Sequence, residues 1–125
     1  MTYKFTIDGT LNTNNEFITA NRVNPYVGNK MKQEAEQYVS VYIKKYLKDL
    51  QIDKPIHISY LFVEKSRRRD KDNIASFAMK IIQDALVNCE VIENDGWRHI
   101  KSFECDFNVD KENPRIEVTI KEVGD

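Results

Sequence analysis

Hydrophobic residues recur along the chain with two different periods, which predict strands and helices in alternation. Residues 3–7 alternate apolar and polar side chains, the period of a half-buried strand. From Asn29 to Leu50 the apolar positions recur every three or four residues, which predicts an amphipathic helix. The polar, asparagine-rich stretch between them is long for a loop, and residues 16–19 are its one candidate for a short strand.

The second half of the chain has a clearer pattern. After Pro55, residues 56–63 carry apolar side chains on both faces, as expected for a central strand. An unbroken apolar stripe over residues 73–88 predicts a helix with Asp72 or Asn73 as its N-cap. Two alternating segments, 102–107 and 116–121, predict closing strands joined by a turn.

The order of these elements is strand, helix, strand, helix, strand and strand. It predicts one small α+β domain over residues 1–125, with a mixed sheet packed against two helices. A chain of 125 residues buries roughly two-thirds of its unfolded surface, so its core needs no metal or disulfide. No internal repeat or linker divides the sequence.

The composition is that of an ordinary globular protein, with 41% hydrophobic residues, 31% charged residues and a net charge of −1. No apolar run approaches the ~18 residues of a membrane span, and the first ten residues lack the apolar segment of a signal peptide. We therefore expect a cytoplasmic protein with no membrane partner. The spacing of Cys89 and Cys105 matches no zinc or redox motif, which favours two reduced structural thiols.

The positive charge is concentrated in one segment. Residues 65–71 contain five cations in seven positions, between the predicted central strand and the predicted helix over 73–88. Many of the acids lie later, between Glu90 and Asp106 and in the tail from Asp110 onward. A chain that is nearly neutral overall can therefore still bind a polyanion locally.

Two aspartates in the same segment suggest a metal site. In extended chain, Asp70 and Asp72 project to the same side with alpha carbons about 6.6 Å apart. Like charges at this distance repel, and a divalent cation removes the conflict. Their hard oxygen ligands favour magnesium or manganese over zinc.

The adjacent Arg67, Arg68 and Arg69 extend this interpretation, because guanidinium groups bind phosphate through a planar fork of donors. Metal-holding carboxylates beside phosphate-binding arginines predict a phosphodiester hydrolase. From the spacing alone, a solvated charged turn with Asp72 as a helix cap is equally compatible with these residues.

Other chemistries lack their residues. A calcium-binding EF-hand loop beginning at Asp70 would have Ile74 and Ala75 where it needs an oxygen ligand and a glycine. The chain has no zinc-ligand pair, no credible nucleophile triad and no glycine-rich phosphate loop. A metal site at Asp70 and Asp72 needs a third acid, and the residues alone leave Glu90, Glu93 and Asp95 open.

Three segments together resemble a known family, the RusA-type Holliday-junction resolvases. They are Arg-Arg-Arg-Asp-Lys-Asp-Asn-Ile ending at Ile74, then Asp-Ala-Leu ending at Leu86, then Val-Ile-Glu-Asn-Asp ending at Asp95. The resemblance is strong over residues 65–100. Residues 11–32 are similar to a branch of the family found in bacteria and their phages, including prophages.

This resemblance implies a dimeric, magnesium-dependent endodeoxyribonuclease that nicks two opposing strands of a four-way DNA junction in recombination and repair, with manganese as a substitute ion. Asp70 and Asp72 match the paired acids of the family. Asp95 matches the third acid, because it lies nine residues after Leu86. The partners implied are branched DNA and a second copy of the chain.

The family also has a functional lysine in this helix. Counted back from Leu86 the match is Lys80, whereas counted forward from Asp72 it is Ser76. Lys80 is therefore the candidate, with a solvated surface lysine as the alternative. The chain departs from the family at Asn94, where an acid is common, and at Trp97, where glutamine is frequent.

The remaining predictions concern DNA contacts. We expect DNA to be bound by the following residues: Arg67, Arg68, Arg69, Asn73, Lys30, Lys32 and Arg22. The rival hypothesis is a non-catalytic nucleic-acid-binding module in which the acids are only helix caps and surface charges. A third, weaker option is a metal-dependent nuclease acting on flaps or on RNA.

Overall fold

The computed structural model describes residues 1–124 and contains four strands and three helices in that range. In chain order these are β1 (Thr2–Asp8), α1 (Asn14–Val23), α2 (Pro25–Tyr46), β2 (Ile56–Glu64), α3 (Lys71–Asn88), β3 (Ile100–Val109) and β4 (Arg115–Glu122). The predicted α+β class, the order of strands and the mixed sheet are confirmed. The structure contains three helices instead of the predicted two, because part of the predicted polar loop forms α1.

The sheet has the order β1-β4-β2-β3. β2 pairs with β3 in parallel, while β4 pairs antiparallel with both β1 and β2. The prediction of a central strand after Pro55 is confirmed, and β1 and β3 form the two edges. Because β2 and β3 are parallel, their carboxyl ends meet at the same edge of the sheet, where the chain enters α3.

The core lies between one face of the sheet and the helices. Apolar side chains of α2 and α3 pack there against alternate residues of β2 and β4, and burial of each large one contributes about 1.5–3 kcal/mol. The most deeply buried members include Val39, Ile43, Ile58, Ile81, Ile82, Leu86 and Ile120. This packing fixes α3 against the sheet and so fixes the position of every side chain along it.

The candidate strand at residues 16–19 is wrong, because these residues lie inside α1. The hydroxyl of Thr13 accepts a hydrogen bond from the Glu16 backbone N–H at 3.2 Å, and the Glu16 carboxylate accepts one from the Thr13 N–H at 3.0 Å. This reciprocal capping box starts the helix. The ring of Phe17 then packs 5.3 Å from that of Phe77, which attaches α1 to α3.

The helix boundaries also differ from the predicted ones. Asn24 caps α2 by accepting the Tyr26 N–H at 2.9 Å, so this helix begins at Pro25 rather than near Asn29. The predicted N-cap of α3 is also wrong: Asp70 occupies it, without a side-chain cap hydrogen bond. Asp72 therefore lies within the first turn of α3.

Across residues 1–124 no helix combines the length and the apolar character that crossing a bilayer requires.

Candidate active site

Two carboxylates lie two residues apart at the start of α3. Asp70 is its N-cap and Asp72 lies in its first turn, and both side chains are exposed. Neither forms an ion pair with any residue of the described chain. The amino terminus of a helix carries partial positive charge, which stabilises carboxylates there without a basic partner. We call Asp70 and Asp72 the acid turn; both of its side chains retain oxygens that can bind a ligand.

Asp70 of the acid turn borders a crevice at the carboxyl ends of the parallel strands. The crevice has a volume of about 470 Å³, and its walls include Glu64, Arg67, Lys71, Phe107 and Asn108. The ammonium of Lys71 lies 5.5 Å from the centroid of the Phe107 ring. Ligands of open α/β sheets bind outside the carboxyl ends of the strands, which is where this crevice opens.

Arg69 is occupied by the protein itself. Its Nε donates to Oε1 of Glu64 at 2.8 Å, its Nη2 donates to Oε2 at 3.3 Å, and its Nη1 donates to the Leu11 carbonyl at 2.9 Å. Glu64 is only 8% exposed, so this ion pair is largely screened from water. The pair ties the loop before Asp70 to the end of β2 and to the segment that leads into α1.

The other two arginines of the predicted DNA-binding run are differently placed. Arg67 and Arg68 are exposed, and neither pairs with a carboxylate anywhere in residues 1–124. Their guanidinium groups are therefore available to phosphate, whereas that of Arg69 would first have to leave Glu64.

Asn73 also makes a contact within the protein. Its side-chain oxygen accepts a hydrogen bond from the Asn15 N–H at 3.1 Å. This bond joins the first turn of α3 to the first turn of α1, close to the Arg69 contacts. Asn73 thus helps to position α1 beside the acid turn, and its contact with DNA stays a prediction.

Lys80 lies further along α3 and holds two acids. Its Nζ is 3.1 Å from Oδ1 of Asp84 and 3.2 Å from Oδ2 of Asp95. Hydrogen bonds to Asp84 and then to Asp95 raise the pKa of the Lys80 ammonium. Lys80 is two helical turns beyond Asp72, or about 12 Å along the axis. Asp95 therefore lies beside the middle of α3, away from the acid turn.

The acids nearest to Asp95 in sequence have other surroundings. A carboxylate oxygen of Glu93 lies 3.7 Å from Nε2 of His99, and Glu90 follows the end of α3 with a positive φ of 62°. The structure gives neither of them a contact with the acid turn.

Asp70 and Asp72 fit magnesium by donor type, because both supply hard carboxylate oxygens on an exposed turn. Within residues 1–124, however, no group of three or more His, Cys, Asp or Glu side chains could hold a metal ion. A single chain thus offers two of the three predicted ligands at one place and the third at another.

The predicted DNA-binding residues outside the arginine run lie on α1 and α2. Arg22 is exposed in the last turn of α1. On α2, the Nζ of Lys30 is 3.9 Å from Glu34, and that of Lys32 lies 6.0 Å from the centroid of the Phe17 ring. The contacts from α1 to Asn73 and Phe77 connect this basic region to the start of α3.

Sequence reasoning missed Glu64 as a functional-site residue. It ends a strand whose other residues are mostly apolar, and a buried carboxylate needs a partner. The arginine run five residues later contains that partner, so the two together were a detectable signal.

Comparison with known proteins gives one finding of similarity. Residues 10–121 match the family described as "Endodeoxyribonuclease RusA". The match spans the acid turn, Lys80, Asp95 and both helices of the basic region. No curated protein matches the chain.

Proposed function

Because the chain belongs to the endodeoxyribonuclease RusA family, we propose that it is a magnesium-dependent endodeoxyribonuclease that resolves Holliday junctions and other branched DNA by paired nicks, in recombination and repair. The observation that carries the proposal is the acid turn, where Asp70 and Asp72 have no basic partner among residues 1–124. Two unpaired guanidinium groups, those of Arg67 and Arg68, lie in the loop immediately before it.

Each residue has a distinct role in this proposal. Asp70 and Asp72 hold magnesium, or manganese in its place, with Asp95 as the third ligand. When bound, the ion supplies charge neutralisation at the scissile phosphate and lowers the pKa of a water molecule. Arg67 and Arg68 bind the neighbouring phosphates, and the ammonium of Lys80 offsets negative charge that develops during cleavage.

The separation of Asp95 from the acid turn supports a homodimer. A four-way junction has near-twofold symmetry, which a twofold dimer matches with two copies of one site. The exposed edge of β3 offers a surface for such a dimer. Phe103 of β3 lies on the helix-covered face of the sheet and is 53% exposed, whereas Phe5 of the other edge strand, β1, is 2% exposed. If two β3 edges pair antiparallel, the loop before β3 of one copy lies beside the end of β3 of the other.

In that arrangement Asp95 of the second copy approaches the acid turn of the first. Mixing two inactive variants, Asp72→Asn and Asp95→Asn, tests this directly. Sites shared between copies leave one intact site in each mixed dimer, so we expect single nicks to return in the mixture while neither variant alone cuts. A mixture as inactive as its components, with mixed dimers verified by mass, would contradict the shared site.

The activity itself is tested with a synthetic four-way junction and magnesium. We expect Asp72→Asn to lower the cleavage rate by roughly 1,000-fold or more, because the substitution keeps the shape of the side chain but removes its charge. Junction binding should be kept or improved. Asp53→Asn, an exposed aspartate in the loop before β2, is the matched control and should cut normally. Equal cleavage by wild type and Asp72→Asn would end the proposal.

Thermal unfolding separates the nuclease from a non-catalytic binding module. A protein that binds magnesium only when folded gains stability as the ion is added. We expect this gain in the wild type and its loss in Asp70→Asn. A binding module would show no gain, and a panel of junctions, flaps, duplexes and RNA would show which substrate is cut.

A further inference from the structure

An exposed apolar patch lies at the corner where α1 ends and α2 begins. Its members are Val23, Tyr26 and Val27, whose exposed fractions are 78%, 72% and 42%. The core does not need them, because α1 and α2 already pack inward through Ala20, Ala35, Val39 and Ile43. We call these three residues the corner patch.

The corner patch is held rigidly. Asn24 ends α1 and caps α2, and Pro25 fixes the first position of α2. The two helices also touch closely, since a Cβ added at Gly28 would lie 1.8 Å from the side-chain oxygen of Asn21. The corner therefore presents its apolar side chains in a fixed orientation rather than on a flexible loop.

The charge around the corner patch identifies its partner as a polyanion. Residues 17–33 contain no aspartate or glutamate, although the whole chain has 20 of them. The same stretch contains Arg22, Lys30 and Lys32. Cations beside apolar side chains suit single-stranded or distorted nucleic acid, where phosphates and exposed base faces lie next to each other.

The corner patch is also within reach of DNA bound at the acid turn. α1 begins beside Asn73, through its contact with Asn15, and its ten residues carry the chain about 15 Å to the corner. At 3.4 Å per nucleotide step, this distance corresponds to about four base pairs. One junction arm can therefore contact both places.

We propose that the corner patch contacts unstacked bases near the branch point of a DNA junction, with Tyr26 stacking on a base and Val23 and Val27 packing beside it. The proposal rests on the proposed function, because it assumes that branched DNA occupies the acid turn. Paired bases in linear duplex are stacked on each other and offer few apolar faces, whereas a branch point exposes them. The corner patch would thus favour branched over linear DNA.

The test compares the affinities of full-length variants for a four-way junction and for a duplex of equal length, without a divalent ion so that nothing is cut. We expect Tyr26→Ala to weaken junction binding roughly 10-fold and to leave duplex binding within about twofold. Tyr26→Phe, which keeps the ring, should bind like the wild type. Tyr46→Ala, an exposed tyrosine at the far end of α2, is the matched control.

A second measurement does not depend on affinity. With 2-aminopurine at the branch point, fluorescence should rise when wild type or Tyr26→Phe binds and should rise less with Tyr26→Ala at saturating protein. Val23→Lys provides an independent variant that adds a positive charge to the corner while removing an apolar side chain, so weaker junction binding by this variant would show that the apolar contact matters.

Three outcomes would overturn the inference. Unchanged junction binding and fluorescence by Tyr26→Ala would exclude base contact. Equal weakening for junction and duplex would show a non-specific contact. A change in oligomeric state on size-exclusion chromatography would assign the corner patch to a second copy. If the wild type cuts junctions in any of these cases, the proposed function stands and only the corner patch assignment fails.

Discussion

Aspartates lie in the first turn of α3 and around Lys80 in the middle of the same helix, in opposite electrostatic surroundings. Asp70 and Asp72 have no ion pair within residues 1–124. Asp84 and Asp95 share one ammonium, that of Lys80, at 3.1 and 3.2 Å. The same residue type is therefore available to a cation in one region and already neutralised in the other.

The difference follows from where each pair lies relative to α3. At the amino terminus, unsatisfied N–H groups and the helix dipole stabilise negative charge, so the acid turn needs no lysine. This stabilisation falls off after the first turn, and the two acids around Lys80 are neutralised by a side-chain cation instead. Asp95 is therefore engaged by Lys80 of its own chain and lies away from the acid turn, which is why the proposed site takes its third acid from another copy of the chain.

Among the changes that test this comparison, the largest effect should come from removing the ammonium that Asp84 and Asp95 share. Lys80→Ala leaves Asp84 and Asp95 without their shared cation and removes positive charge from the proposed cleavage site. We expect the rate of junction cleavage to fall roughly 100-fold, with junction affinity within about twofold, because loss of one charge-stabilising group typically has this effect on rate. Single-turnover cleavage and filter binding measure the two quantities.

Lys44→Ala serves as the control for Lys80→Ala, since Lys44 is an exposed lysine of α2 without a carboxylate partner in the described residues. A cleavage rate for Lys80→Ala within about threefold of the wild type would show that Lys80 is only a solvated surface lysine. A parallel loss of affinity would instead make it a DNA contact.

A smaller effect should come from the pair that positions the acid turn. Arg69→Ala leaves the buried Glu64 carboxylate without its guanidinium, so we expect the free energy of unfolding in urea to fall by about 2 kcal/mol. This value lies below the roughly 3–5 kcal/mol typical of a broken buried ion pair because Arg69 is partly exposed. The matched control is Arg68→Ala, whose side chain has no ion-pair partner in residues 1–124 and should change stability by less than about 0.5 kcal/mol.

The double variant Arg69→Ala/Glu64→Gln sharpens this prediction. Removing the charge of Glu64 as well relieves its unpaired burial, so the double variant should be less unstable than the sum of the single changes. Strict additivity would show that the two side chains do not stabilise each other, and the positioning of the acid turn by Arg69 would be wrong.

The parts of the fold that sequence predicted well are those with long apolar periodicity. β2 and α3 were identified because buried elements of this length impose a pattern on many consecutive residues. α1 has only one buried residue, Ala20, and its asparagines favoured a loop. Its detectable signal was the pair Thr13 and Glu16, three residues apart, which is typical of a capping box.

The candidate site likewise contains a part that the sequence predicted and a part that it did not. The acid turn and the arginine run are local in sequence, so their proximity followed from spacing alone. The partners of Arg69 and Asn73 include Leu11 and Asn15, each 58 residues away, and no periodicity indicates such contacts. The Arg69 guanidinium and the Asn73 amide, both predicted to bind DNA, thus form contacts within the protein, and only the packing of α1 explains these contacts.

The smallest expected effect concerns Glu16. Its carboxylate accepts hydrogen bonds at the start of α1, unlike the carboxylates of the acid turn, which remain available to a ligand. The hydrogen bond that the backbone N–H of Thr13 donates to Glu16 is the main cause of the lowered pKa of this carboxyl, which lies below its ordinary value of 4.5. Because the folded-state pKa is lower than the unfolded one, this stabilisation is complete above about pH 4.5 and is lost as the pH falls through the folded-state pKa. Glu16→Gln should therefore lower the free energy of unfolding by about 0.5 kcal/mol at pH 7.

The pH dependence decides whether this carboxylate charge matters. The difference between wild type and Glu16→Gln in urea unfolding should shrink as the pH is lowered through the folded-state pKa of Glu16, where its carboxylate becomes neutral. Glu34→Gln, which removes an exposed acid paired with Lys30 across one helical turn, controls for general loss of charge. A difference that persists unchanged at low pH would mean that the shape of the side chain, and not its charge, holds α1 in place beside the acid turn.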